Sequence, residues 1–379
     1  MNLLNRRDFF RATGLAGAVL LWEGNLGLAQ AQAAPAPAKI YGVNLGGWLV
    51  LEKWITPSLF VGEQAPDEYT LCQVLGKEKA LQRLEQHRQR WITADDFKWL
   101  SAHGINAVRL PVGYWVAEEN PPFITGLETM DWAFGAAKAN GLSVLLDLHG
   151  VPGSQNGWDH SGRQGSLGWH TSQENIAHSL RIIEDLAIRC KNYDNLLGIE
   201  LVNEPSKEIP LDILKSYYQD GCQLVRKHLG KERAAVVIHD AFRPFEWQDF
   251  RPEPDNGNII LDTHLYQCFS DQDRQRDFQA QIEVAAVERK QQLDRMQKQF
   301  PCMVGEWSLA LPPKSLPGLD SPGRDASMRA FGAAQLASYE TTRGWFFWTY
   351  RTEAGGGWSF RNCVNRGWLP EKYGARTKV

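Results

Sequence analysis

The sequence predicts a closed (β/α)8 TIM-type barrel, and three observations carry that expectation. Eight short runs rich in β-branched and aromatic residues recur from residue 40 onward, longer segments of helical period separate them, and no linker or low-complexity stretch breaks the series. Strands alternating with helices build parallel βαβ units, and eight such units are enough to close on themselves. An open doubly wound sheet is the main alternative, but no Gly-x-Gly-x-x-Gly follows the first run.

The runs, in order, are YGVNLGG (41–47), AVRLPVG (107–113), SVLLDLHG (143–150), LLGIELVNEP (196–205), AAVVIHD (234–240), NIILDTHLY (258–266), CMVGEW (302–307) and GWFFWTY (344–350). Local signals mark the helices between them. Thr93 can cap ADDFKWLSAH with Gly104 past its end, Gly141 closes DWAFGAAKAN, and Gly230 closes LDILKSYYQDGCQLVRKHL. One domain over residues 40–379 is therefore expected, longer than a typical barrel, with the excess in loops at 51–92, 151–171 and 309–324. Each of these loops follows a run and falls on the face where barrels keep their chemistry.

The amino terminus reads differently. Arg6 and Arg7 precede a modest apolar stretch, LAGAVLLW, and Ala-x-Ala patterns follow at positions 29–31 and 31–33. Residues 1–33 are expected to be a twin-arginine-type signal, and 34–39 an Ala/Pro tether. A retained helical anchor is the alternative, although the apolar run falls short of the roughly 18 residues that span a bilayer. Export to the periplasm or the extracellular space would follow.

With 43% hydrophobic and 22% charged residues, the 379-residue chain is an ordinary globular protein with a sizeable core. A net charge of −3 supplies no basic field, so neither nucleic acid nor an anionic membrane is an expected partner. Fifteen tryptophans suit either a large core or a surface that stacks on sugar rings. The cysteines at 72, 190, 222, 268, 302 and 363 have no metal-type spacing, and Cys190 and Cys302 sit in apolar contexts as small hydrophobes. One or two disulfides remain open. A monomer is expected.

The chemistry lies at the carboxyl ends of the runs. Arg109, His149, Asn203 with Glu204, His264 with Tyr266, Glu306 and Trp348 all stand there, and in a barrel those ends converge on one mouth. Taken singly, the Arg reads as a structural ion pair, a His as a satisfied near-core residue and the Trp as core. Six of eight ends carrying such a group argue for a shared site. Glu204 and Glu306 on opposite walls meet the need of glycosidic cleavage, in which one carboxyl protonates the leaving oxygen and the other meets the oxocarbenium charge. A separation of about 5 to 5.5 Å would suit a retaining path, with Glu306 as nucleophile and Glu204 as acid and then base. Asn203 could bind the sugar 2-hydroxyl, and Arg109 and Tyr266 could keep Glu306 ionised. No metal and no cofactor are called for, because the two histidines lack a third ligand in any motif.

These residues resemble glycoside hydrolase family 5, the cellulase-type retaining barrels, over roughly 40–370. The family's Arg, His, Asn-Glu pair, His-x-Tyr, Glu and Trp fall on Arg109, His149, Asn203, Glu204, His264, Tyr266, Glu306 and Trp348. The resemblance makes Glu204 the acid/base and Glu306 the nucleophile. Within the family, GVNLGGWLVLEKWITPSLF (42–60) and DLHGVPGSQNGWDHSG (147–162) look like the exo-β-1,3-glucanases of yeasts. That likeness implies a pocket for a terminal glucose, with Glu52 and Asp159 among its binding residues and Trp158 and Phe269 as aromatic walls at its entrance. Two departures are His160, where the yeast pattern commonly has Asn, and the glycine-rich EAGGGWSF (353–360). The expected activity is exo-hydrolysis of β-1,3-linked glucan. The rivals are an endo-acting β-1,4 or β-1,6 glucanase, a transglycosylase, and a carbohydrate-binding barrel without catalysis.

Overall fold

The computed structural model describes residues 39–252, 257–318 and 320–374. The expected signal and all of the tether except Lys39 lie outside the described residues.

Eight strands form one closed, parallel barrel in chain order. They are β1 (Ile40–Asn44), β2 (Ala107–Gly113), β3 (Ser143–Gly150), β4 (Leu196–Glu200), β5 (Ala235–His239), β6 (Ile259–Leu265), β7 (Cys302–Trp307) and β8 (Gly344–Phe347). All eight predicted runs are strands. Period-two alternation sorts their side chains. Ile40, Ala107, Leu145, Leu197, Ala235, Val237, Ile260, Met303 and Phe346 form one buried cluster drawn from every strand, the plug of the barrel. Val108, Leu110, Val144, Leu146, Leu196, Val236, Leu261 and Val304 alternate with them and join the larger core shared with the helices. Gly42 is required here, because a Cβ would lie 2.2 Å from the Phe346 ring.

Three strands stop three or more residues short of the predicted ends. The sequence runs through 47, 205 and 350, whereas β1, β4 and β8 end at Asn44, Glu200 and Phe347. Their last residues leave the ladder but keep single anchors: Leu201 N–H donates to Val237 at 3.0 Å, Asn203 N–H to Leu148 at 3.0 Å, and Trp348 N–H to Trp307 at 2.8 Å. Asn203, Glu204 and Trp348 thus sit on pinned extensions, whereas Arg109, His149, His264 and Glu306 stand on the strands themselves.

Helices Ala94–Ala102, Leu127–Ala139, Gln173–Cys190, Leu211–His228, Ser321–Tyr339 and Phe360–Asn365 flank the barrel. A further helical stretch runs through Phe278–Glu283, the π-helical Val284–Glu288 and Arg289–Gln299. Thr93 caps its helix as expected, in a capping box with Asp96, and Gly104 and Gly141 take left-handed φ values of 78° and 70°. Gly230 does not act as such a cap, since its helix ends in an extended Leu229. Between β5 and β6 no helix appears among the described residues. Turns bring Trp247 and Phe250 onto Tyr218 instead, at 5.4 and 6.4 Å between ring centres, and these rings cover the wall that a helix would cover.

The long loop after β1 folds into Pro57–Phe60, Glu68–Leu75 and Lys77–Trp91 around its own small core of Leu51, Phe60, Leu71, Leu84 and Ile124. All six cysteines are unpaired, and Cys190 and Cys302 are buried as expected. Among the described residues no helix is long and apolar enough to cross a membrane. Trp48, Trp115, Trp169, Trp247, Trp307 and Trp345 are fully buried, so the tryptophan count serves the core first.

Candidate active site

Arg109 organises the mouth from the centre of β2. Its Nε donates to Glu200 Oε2 at 2.7 Å and its Nη1 to Asn44 Oδ1 and Glu306 Oε1, both at 3.0 Å. Nη2 donates to Asn203 Oδ1 at 2.8 Å and lies 3.1 Å from Asp147 Oδ2. Burial opposes the guanidinium's charge, but Asp147, Glu200 and Glu306 outweigh that and keep it firmly protonated. One planar fork therefore ties β1, β3, β4 and β7 together and holds two candidate residues, Asn203 and Glu306, in register.

Glu306 is gripped at both oxygens, since Tyr266 Oη donates to Oε2 at 2.7 Å. Burial and the nearby Glu306 and Glu204 charges push the Tyr266 hydroxyl's pKa far up, so it stays a donor. Burial also raises the Glu306 carboxyl; His264 and Arg109 pull it down while the Glu204 charge pushes it up.

Glu204 lies four residues beyond β4 with a left-handed φ of 43°, a costly conformation for a residue with a Cβ. The loop after β3 holds it there. Gln155 Nε2 donates to the Asn203 carbonyl at 2.8 Å, Asn156 Nδ2 donates to the Glu204 carbonyl at 3.1 Å, and Ser206 N–H returns to the Gln155 carbonyl at 2.9 Å. On the side chain, His264 Nδ1 is 2.6 Å from Oε1 and His160 Nε2 is 3.3 Å from Oε2. Burial favours the neutral acid, yet the His264 hydrogen bond and the surrounding imidazoles outweigh it and lower the Glu204 pKa.

His264 in turn is held above its ordinary pKa: burial opposes the charge, but Glu306, Asp262 and Glu204 win. Its Nε2 faces Asp262 Oδ2 at 3.3 Å, which places a hydrogen on Nε2 and leaves one further proton between Nδ1 and Glu204. Asp262 is seated by the Gly305 N–H, and a Cβ on Gly305 would lie 1.8 Å from its carboxylate. His149 donates from Nδ1 to Asp147 at 2.6 Å, meets Asn203 Nδ2 at Nε2 (3.3 Å), and stacks on Trp348 with ring centres 5.4 Å apart and planes 5° from parallel.

Donor atoms of Glu204, His239 and His264, and of Glu200, Asp262 and His264, come close enough for a metal ion, but Glu204 is engaged with His264, Glu200 with Arg109 and Asp262 with the Gly305 N–H. The Ala241 N–H donates to His239 Nδ1 at 3.0 Å, so Nε2 carries the hydrogen, and His264 Nδ1 is engaged with Glu204.

Residues 72–352 match the family described as cellulase, glycosyl hydrolase family 5. The chain belongs to that family. Among curated proteins it is 38% identical to a glucan 1,3-beta-glucosidase of Blumeria graminis, over 89% of this chain and 88% of that one. It is 39% identical to a probable glucan 1,3-beta-glucosidase A of Aspergillus clavatus, over 87% of each. Among solved structures, the rutinosidase from Aspergillus niger superposes with a TM-score of 0.73 over 87% of this chain and 97% of that one, at 21% identity. That likeness speaks for the barrel fold.

In this glycosyl hydrolase the remaining candidates line the same mouth. Glu52 accepts from Trp54 Nε1 at 2.8 Å, and burial, followed by the charge of Asp159, raises its pKa well above the usual range. Asp159 is raised too, mainly by burial. Trp158 and Phe269 are 46% and 59% exposed and belong to two separate aromatic groups. Trp158 lies 6.2 Å from Phe242, while Phe269 packs on Tyr266 at 5.3 Å and on Trp358 at 5.8 Å, with Trp54 against Trp358.

Sequence reading passed over Asn44, Asp147, Glu200, His239 and Asp262. The signal was there: Asp147 and Asp262 stand two residues before His149 and His264, and so on the same strand face. Asp147 and Asp262 lie inside their strands, and Asn44, Glu200 and His239 end β1, β4 and β5 but fall inside the longer runs read from the sequence, so a search confined to the run ends misses all five.

Proposed function

We propose that the protein is a retaining, exo-acting hydrolase of β-1,3-linked glucan in which Glu306 attacks the anomeric carbon and Glu204 serves as acid and then base. One observation carries the mechanism. Glu204 Oε1 and Glu306 Oε2 lie 2.6 and 3.4 Å from the same His264 Nδ1, so they are no more than about 6 Å apart, below the roughly 6.5 to 9.5 Å that an inverting pair needs to admit water.

In the first step Glu306 bonds to C1 as the C1–O bond to the leaving sugar breaks, and the proton held between Glu204 and His264 goes to the departing oxygen. Arg109 and Tyr266 orient the nucleophile and stabilise its charge. In the second step water attacks C1, its proton passes to Glu204, and the bond to Glu306 breaks. Asn203, fixed by Arg109, is the partner of the 2-hydroxyl. Glu52 and Asp159 bind the terminal glucose, and Trp158 and Phe269 flank the next sugar.

The names of the relatives support the β-1,3 linkage. Residues 1–33 act as the export signal in this reading, on the strength of Arg6 and Arg7 and the Ala-x-Ala sites. The test is product analysis with β-1,3, β-1,4 and β-1,6 glucans: glucose should be the first product and the β-1,3 chain the preferred substrate. Early release of longer oligosaccharides would refute exo action.

A further inference from the structure

His160 belongs to the short helical turn Asp159–Ser161, closed by Gly162 at a φ of 92°. That turn is tightly built. Ser154 and Ser161 hydroxyls meet at 2.7 Å, Ser161 Oγ donates to the Trp158 carbonyl at 2.7 Å, and Trp158 N–H donates to Asn156 Oδ1 at 3.0 Å. Asn156 is the residue that holds the Glu204 carbonyl. One loop thus reaches Glu204 twice, at its backbone through Asn156 and at its carboxylate through His160 Nε2, 3.3 Å from Oε2.

We propose that His160 is a positioning residue for Glu204, a neutral N–H donor to Oε2 that favours the ionised form acting as base when the glycosyl-enzyme is hydrolysed. The inference rests on the reading of Glu204 as the acid/base. Every charged or titratable group set against the imidazole fits that role: Glu204 beyond β4, Asp147 and His149 on β3, His264 on β6 and Asp159 in its own turn. Burial brings its pKa down to about 4, so at neutral pH it is an uncharged ring with one hydrogen to give. With Nε2 as donor, Nδ1 is an acceptor; it is buried with no protein partner, free to take a hydroxyl hydrogen from sugar or water. The 3.3 Å approach is an ion-pair distance and not a formed hydrogen bond in the free enzyme; catalytic hydrogen bonds often close only once substrate is bound.

The test compares His160→Ala and His160→Gln with the native enzyme, the glutamine amide reproducing the Nε2 donor. In His160→Ala the alkaline limb of kcat/KM should rise by about one pKa unit, because the ionised Glu204 loses a donor. On a dinitrophenyl β-glucoside, whose leaving group needs no acid, kcat should fall about tenfold as hydrolysis of the intermediate slows, with kcat/KM little changed. His160→Gln should recover both, and it carries the test alone should the alanine variant fail to fold, with either quantity displaced beyond half the expected alanine effect counting against the donor role. A limb and a kcat that stay put in His160→Ala, or a glutamine variant as impaired as a folded alanine variant, would overturn the inference. Glu204→Gln is the control. If it leaves the alkaline limb in place, the acid/base reading and this inference fall together; if it abolishes the limb while His160→Ala does not move it, this inference falls alone.

Discussion

The Tyr266 hydroxyl donates a 2.7 Å hydrogen bond to Glu306 Oε2, while Arg109 holds the other oxygen at 3.0 Å. A donated hydrogen bond favours the carboxylate, so Tyr266→Phe should raise the acid limb of the bell-shaped pH profile and lower kcat/KM by roughly 10- to 100-fold. Burial already raises the Glu306 carboxyl above its ordinary value. An acid limb that does not move in the variant would deny Tyr266 this part.

Glu306 and Glu204 variants should differ in kind. Glu306→Gln removes the proposed nucleophile and should abolish nearly all turnover on any glycoside, whereas Glu204→Gln should spare glycosylation by substrates with activated leaving groups. A burst of released phenol followed by slow turnover is the expected signature of the second variant. Equal loss on natural and activated substrates, with circular dichroism unchanged, would undo the assignment.

Two displacements at C1 restore the starting configuration. NMR of freshly formed product should therefore show the β anomer first, with the α form growing in by mutarotation. An initial α anomer would rule out the covalent path.

Trp158 and Phe269 stand exposed in separate aromatic groups at the mouth, where flat rings stack on pyranose faces. Replacing either with Ala should raise KM for β-1,3 oligosaccharides about tenfold and depress transfer to sugar acceptors, leaving aryl glucoside hydrolysis and Tm nearly unchanged. A parallel drop in Tm and in both activities would make them fold residues.

Glu68 gives a stability test away from the chemistry. It is buried in the loop after β1, accepts from Leu51 N–H at 2.8 Å, and burial lifts its carboxyl to about 7 from the ordinary 4.5, against the pull of Arg88. A folded-state pKa above the unfolded one means that the folded chain binds the proton more tightly. Its stabilising contribution is complete below pH 4.5 and is lost as pH rises through 7, by about 3 kcal/mol. Glu68→Gln does not titrate, so its Tm relative to the native protein should be higher at pH 8 than at pH 5. A difference that is flat across that range would show that Glu68 keeps its ordinary pKa.

The order of strands, the barrel and the residues at its mouth were legible along the chain because they obey local rules. Period-two runs, helix caps and glycines act within a few residues, and eight such units have one common way to close. Glu204 and Glu306 could be read for the same reason, as carboxylates at the ends of apolar runs where burial needs a purpose. What only the tertiary structure decided depends on distances across the barrel. Arg109 reads along the chain as one cation, but closure makes it the shared partner of Asn44, Asp147, Glu200, Asn203 and Glu306. The left-handed turn at Glu204, the absence of a helix among the described residues after β5 and the approach of His160 to Glu204 are likewise set by packing between distant segments. Local propensity is blind to such contacts, because their energy appears only once the low-dielectric mouth has formed around them.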